Sequence, residues 1–362
     1  MASTSQKQAD SVTPVPGAKS GKRKKKAAEA KPEAPKPVEV SSPAAEEPPE
    51  RAAGQLLITG VARGIGRLLL RRLLDEGREI VGIDSTDLDD LHRSRITFHK
   101  AELKQRKAED VFRSGTVDTV IHLAFKDDLR INARERYHYN VVGTMKLLDY
   151  CERYGVRRVV VLSSANVYGA HPENPILMTE ESPLRASEIW SEFRDRVGVD
   201  RYAMAWMWKN PEVHTIILRP VHILGPSVHN AFVKYLQLPI VPVLLGFNPM
   251  VQIIHEEDVV EALATAADAN TSGIYNLVGP GALPLRRILW EIGAETLPIP
   301  HPIARQLIRL FWFLSRNPFP EAVLDFVRYP CIVSGEKIRR ELGVQPRTTL
   351  GETLRSLRAL RK

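Results

Sequence analysis

The stretch Leu56-Leu-Ile-Thr-Gly-Val-Ala-Arg-Gly-Ile-Gly66 limits what this chain can fold into more than any other part of it. Leu56–Ile58 is a short apolar run of the kind a buried strand needs. After the glycines, Arg67–Gly77 is apolar on one face and closes on Gly77 as a helix stop. Arg78–Asp84 then reads as a second strand that ends in a carboxylate. The order is strand, glycine turn, helix, strand, acid. Gly60 permits a tight turn. Gly64 and Gly66 let backbone and helix approach a pyrophosphate and the neighbouring strand, with the helix N-terminus facing the negative charge. Asp84 lies about two dozen residues after the first glycine, near the spacing of a dinucleotide fingerprint. There it can accept hydrogen bonds from a ribose 2′-hydroxyl and would repel a 2′-phosphate. An ordinary βαβ turn without a ligand is the plain alternative. The presence of all the parts in order favours dinucleotide binding.

The alternation continues. Thr97–His99 reads as a short strand, Val117–Ala124 as a buried strand, Asn140–Tyr150 as a helix and Val156–Ser164 as another strand. Repeated βα units of this kind predict an α/β fold with a parallel sheet covered on both faces.

Composition shows where this body begins. Of the 362 residues, the first 53 contain no Leu, Ile, Phe, Tyr or Trp, yet hold 8 of the 26 prolines. Such a stretch cannot bury enough surface to offset the entropy of ordering, so residues 1–53 are expected to be a disordered tail. Of the net charge of +8, +3 belongs to the tail and +5 to the body from Gly54 onward. The basic run Lys22–Lys26 could bind nucleic acid, acidic lipid or an import receptor. No aromatic residue interleaves it, and Glu46, Glu47 and Glu50 follow, so a solvated tether is the favoured reading and a nucleic-acid role is not. Cys151 and Cys331 are too few for a disulfide scaffold or a cysteine-built zinc site, no metal site is expected, and a reducing cytoplasm fits. No apolar run reaches the length of a membrane span, and no secretory signal is read at the start.

Five segments together resemble the extended short-chain dehydrogenase/reductases, the NAD-dependent epimerase/dehydratase family. They are Thr59–Gly66 with Asp84, His122–Ala124, Asn140–Thr144, Ser163–Gly169, and Ile216–Pro220 with Leu224–Pro226. Val251–Asp258 and Ser334–Pro346 follow in the family's order. The glycine spacing is nearer that of the classical branch, because Arg63 stands where the extended branch usually has its middle glycine. The resemblance implies a Rossmann doubly wound parallel sheet over 54–220. It also implies a smaller, discontinuous substrate domain over 221–362, with a segment around 250–280 returning to the Rossmann domain. It implies NAD on Gly60, Arg63, Gly64, Ile65 and Gly66, with Asp84 on the adenosine ribose. Glu102 and Leu103 fall near the adenine, Ala124 where the backbone passes the cofactor, and Asn140 on the central helix. Pro220, which closes the Leu-Arg-Pro strand, is counted with them. His122 also reads as a satisfied core histidine and Asn140 as a helix cap. Arg63 could favour NADP, but Asp84 opposes it, so NAD is preferred.

The family's chemistry uses a Ser or Thr with a Tyr-x-x-x-Lys pair, the Tyr passing a proton while hydride moves to or from the nicotinamide. Ser164 matches the serine. No Tyr-x-x-x-Lys occurs where it is expected; aligning Arg194–Arg201 with the family helix puts Glu192 in the Tyr slot and Arg196 in the Lys slot. A carboxylate there could serve as a base if burial raised its pKa, and Arg196 would stay protonated. Tyr202 reads as a helix-packing residue and Tyr168 as part of the substrate loop. His255 and Asp258 look like a domain-closing pair.

The expected function is therefore NAD-dependent redox, epimerase or dehydratase chemistry at a carbinol or carbonyl carbon. The alternative is a non-catalytic NAD-binding regulatory or scaffold protein of the same fold. Val251 stands where nucleotide-sugar epimerases carry an arginine, and Pro220-Val-His222 lacks their usual asparagine, which weighs against a nucleotide sugar. Leu238–Gly246 and Ile303–Ser315 are apolar and would suit a greasy small-molecule substrate. Contact of the second segment with a membrane surface is the less favoured reading, behind packing on the core. The resemblance also implies a homodimer paired through two long helices, here around Val141–Arg153 and Arg194–Trp208.

Overall fold

A computed structural model describes residues 54–128, 131–190, 193–307 and 323–361. The tail, its basic run, Glu192 and most of the apolar segment Ile303–Ser315 lie outside the described residues. The strands are β1 (Gln55–Thr59), β2 (Ile80–Asp84), β3 (Thr97–Lys100), β4 (Val117–His122), β5 (Arg158–Leu162), β6 (His214–Pro220), β7 (His222–Leu224), β8 (Ile240–Leu244), β9 (Met250–His255), β10 (Gly273–Leu277), β11 (Ala282–Pro284) and β12 (Glu295–Ile299). Seven of them form one parallel sheet in the order β10-β6-β5-β4-β1-β2-β3. The chain leaves β1 toward β2 and β3 and returns on the other side through β4. This is a doubly wound Rossmann-type sheet with its switch point between β1 and β4.

The inner strands are largely apolar because both faces are covered. Leu56 and Ile58 face one core with Leu69, Leu70 and Leu73 of the helix Gly64–Asp75 and Val259 and Leu263 of the helix Glu256–Asp268. Leu57 faces the other core with Phe112, Leu147, Leu148 and Trp206, from the helices Arg106–Phe112, Gly143–Arg153 and Arg194–Lys209. The strand alternation thus feeds two cores from one sequence run. Residues after 221 contribute β10 to the edge of this sheet, and they also build a third apolar cluster. That cluster joins the small sheets β11-β9-β7 and β12-β8 to the helices Leu285–Glu291 and Leu350–Leu360.

One helix departs from regular geometry. Between Ala133–Tyr137 and Gly143–Arg153, residues His138–Val142 form a π-helical turn. Asn140 sits inside that turn and is 1% exposed, so it caps no helix. The widened turn lets its side chain leave the helix ladder and bind other segments.

Candidate active site

The carboxyl ends of the parallel strands form the crevice expected at a switch point. Gly60 makes the turn after β1 at φ +76°, and a Cβ there would lie 2.7 Å from the Leu123 carbonyl carbon. Gly66 stands so close to that turn that its Cβ would lie 2.1 Å from the Gly60 carbonyl oxygen. The two glycines therefore set how tightly the turn, the next helix and the loop after β4 pack. No side chain caps the helix that starts at Gly64, and its first turn keeps N–H groups that lack partners within the helix. Asp84 ends β2 almost buried. Its carboxylate accepts hydrogen bonds from the backbone N–H of Ala62 and of Thr86, each at 2.9 Å, so the acid is fixed beside the glycine turn.

A cavity of about 480 Å³ opens over this turn. It brings together Gly60, Arg63, Gly64, Ile65 and Gly66 with Ser164, Arg196 and Pro220. Asp84, Glu102, Leu103, Ala124 and Asn140 do not line it. Ala124 is buried against Gly60, Leu103 is buried in the core, and Glu102 forms ion pairs with Lys104 and Lys126. Ser164 accepts a hydrogen bond from the Asn166 N–H, which leaves its own hydroxyl proton for another acceptor. Arg196 forms an ion pair with Asp127 on the wall of the cavity.

Beside Arg196 lies a polar cluster that joins Asn140 to Arg136 and Asp195, two residues the sequence reading did not single out. Asp195 accepts from Arg136 Nε at 3.1 Å and from the Asn140 side-chain amide, and both ionic partners are 5% exposed. Asn140 also bridges Lys126, accepting from its N–H at 2.9 Å and donating to its carbonyl at 3.0 Å. The second Asp195 carboxylate oxygen is buried with no hydrogen-bond partner among the described residues. Asp195 lies more than fifty residues from Arg136 and from Asn140 in sequence, so no local spacing announces its pairing with them.

Tyr168, expected in the substrate loop, is a core residue. It is fully buried, donates to Asn276 and accepts from Arg219, so its ring and hydroxyl are both committed to the interior. Burial pushes its pKa up to about 12. Arg219 in turn is paired with Asp200, both side chains at 0% exposure. Tyr202 packs against the second core. His122 is fully buried, with one ring nitrogen 2.7 Å from the Thr59 hydroxyl and the other 2.8 Å from that of Thr144. His255 caps the helix that follows it, accepting from the Glu257 N–H, whereas Asp258 accepts from the Arg347 and Thr348 N–H groups. Among the described residues no His, Cys, Asp or Glu cluster could hold a metal, and no helix is long and apolar enough to cross a membrane.

Residues 56–278 match the family model described as the NAD dependent epimerase/dehydratase family. An uncharacterized protein of Mycobacterium tuberculosis is 29% identical over 310 residues, covering 82% of this chain and 81% of its own length. A UDP-glucose 4-epimerase of Bacillus subtilis is 35% identical over 151 residues, covering 38% of this chain and 44% of its own. Among solved structures, the UDP-glucose 4-epimerase of Thermotoga maritima with UDP-glucose is similar at a TM-score of 0.67 and 18% identity. The UDP-glucose 4-epimerase of Thermus thermophilus with NAD is similar at 0.65 and 20% identity. Each likeness covers 85% of this chain and 98% of the other.

Proposed function

The chain belongs to the NAD dependent epimerase/dehydratase family, and from that premise we propose that it binds NAD over Gly60–Gly66 and acts on a carbinol or carbonyl carbon of a small molecule. The observation that carries this reading is the cavity itself. It joins the uncapped helix start and the glycine turn to Ser164 and Arg196 in one space, with Asp84 fixed beside the turn.

The residues suit the cofactor. Backbone N–H groups at the start of the helix Gly64–Asp75 would hold the pyrophosphate, where the helix dipole also favours negative charge. Asp84 would accept from the adenosine ribose hydroxyls, and its carboxylate disfavours a 2′-phosphate. Pro220, at the end of β6, lines the same cavity, Glu102 stands just past β3, and the buried Leu103, Ala124 and Asn140 would support the binding surface from behind. When bound, NAD supplies the acceptor and donor of hydride. Ser164 would donate its hydroxyl proton to the substrate oxygen. Arg196, already oriented by Asp127, would hold a ribose or phosphate oxygen where the family carries lysine. Glu192 would carry the proton that a tyrosine carries elsewhere in the family.

The test measures NAD binding to the full chain, then turnover across sugar, steroid and other alcohol substrates for the native chain and Glu192→Ala. We expect NAD to bind more tightly than NADP, and turnover to fall sharply in the variant. Tight NAD binding without turnover on any substrate would leave the non-catalytic NAD-binding protein as the correct reading. Failure to bind either cofactor would overturn both.

A further inference from the structure

The part of the cavity contributed mainly by residues after Pro220 carries a set of packed rings. His222, the first residue of β7, stacks on Phe232 with ring centroids 4.2 Å apart and planes at 23°. Phe326 meets His222 nearly edge-on, at 6.5 Å and 77°. Phe193, from before the helix Arg194–Lys209, tilts against Phe326 at 5.6 Å. All four rings line the cavity, and Val228 and Leu285 add aliphatic surface.

Charge is distributed unevenly around the same space. The arginine and lysine residues that line it are Arg63, Lys126, Arg136 and Arg196, all from before Pro220. From Val221 onward the lining holds neither lysine nor arginine among the described residues. Val251, where an arginine could have pointed in, is buried in the third apolar cluster and is absent from the lining. Two of the polar groups of this half are already engaged. Asn230 accepts from the Val233 N–H and donates to the Ile223 carbonyl, both at 2.8 Å, and the Tyr235 hydroxyl donates to the Pro242 carbonyl at 2.8 Å. His222 differs: its ring nitrogens have no hydrogen-bond partner among the described residues. Burial lowers its pKa to about 4, so near neutral pH it is an uncharged imidazole.

A nucleoside diphosphate placed here would give up water for a half of the cavity with no lysine or arginine among the described residues, which is costly. A flat ring system would gain from burial of its area and from stacking, and His222 offers a single hydrogen bond to one oxygen. We propose that this ring-lined half of the cavity binds a flat, uncharged, largely hydrocarbon secondary alcohol or its ketone, and not a nucleoside diphosphate sugar. The proposal deepens the NAD-dependent reading and rests on it for the chemistry, though not for the binding.

The probe is naphthyl ethanol, a fluorescent fused-ring secondary alcohol, titrated into the full chain with and without saturating NAD. We expect saturable binding that excess UDP-glucose does not displace. Phe232→Ala should weaken it about tenfold, through lost area and stacking. His222→Asn serves as a second variant and should also weaken the probe, with a thermal melt confirming that each variant folds. Absence of saturable binding in both states would overturn the proposal. So would displacement by UDP-glucose, or unchanged binding in both folded variants. NAD binding is followed separately in the same samples, so loss of cofactor binding would sink the functional reading while the ring-pocket result still stands or falls alone.

Discussion

At the scale of single residues, the buried ion pair of Arg219 with Asp200 carries the largest predicted penalty. Both side chains are at 0% exposure, and Arg219 also donates to the Tyr168 hydroxyl at 2.8 Å and to the Glu180 carbonyl at 3.2 Å. Asp200→Ala would leave a guanidinium uncompensated in the core. Chemical denaturation should register a loss of about 3–5 kcal/mol, and a loss below about 1 kcal/mol would contradict this account. His122 predicts a pH dependence. Burial lowers its pKa from 6.5 to about 3, so the unfolded chain takes up a proton there before the folded chain does. Its contribution is therefore intact above pH 6.5 and declines as pH falls from 6.5 toward 3, with a limiting slope on the order of 1 kcal/mol per pH unit. Stability measured over that range should fall less steeply in His122→Asn than in the native chain. An identical slope would place the acid sensitivity elsewhere.

At the scale of elements, the glycine turn and the helix after it act as one unit. Gly66→Ala would set a Cβ 2.1 Å from the Gly60 carbonyl oxygen, a backbone atom that cannot move without opening the turn. NAD affinity is expected to fall by at least about tenfold in a titration, as backbone donors are displaced from the pyrophosphate. A variant with native affinity would show that the turn tolerates the opening. The strands, helices and glycines of this unit were legible because each rests on local pattern: an apolar run, a one-faced helix, a terminal carboxylate. Asn140 was not legible in the same way. Its segment reads as an ordinary helix, and only the π-helical turn frees its amide to reach Lys126 and Asp195. Tyr168 misled for the opposite reason. Its neighbours follow a strand end and suggest a loop, yet Arg219 and Asn276 draw the hydroxyl into the core.

At the scale of the whole molecule, cofactor binding should couple to stability. A ligand that binds only the folded state at a hundred times its dissociation constant adds about 2.7 kcal/mol. Thermal melts with NAD should therefore shift upward with concentration, and NADP should shift them less. The composition of residues 1–53 reads as a solvated tether, so a chain lacking them is expected to keep the same NAD-induced shift. Loss of the shift on that truncation would give the tail a part in binding.

The sequence by itself determined the alternating βα plan, the glycine turn with its acid, and the absence of a Tyr-x-x-x-Lys pair. Those features are written in neighbouring residues, and backbone sterics and helix periodicity act over such short spans. Tertiary structure alone decided which distant groups meet. It placed Arg196 against Asp127, Asp195 against Arg136 and Asn140, and His222 between Phe232 and Phe326. Those meetings depend on how the helices and loops pack over the sheet, which no local stretch of sequence encodes.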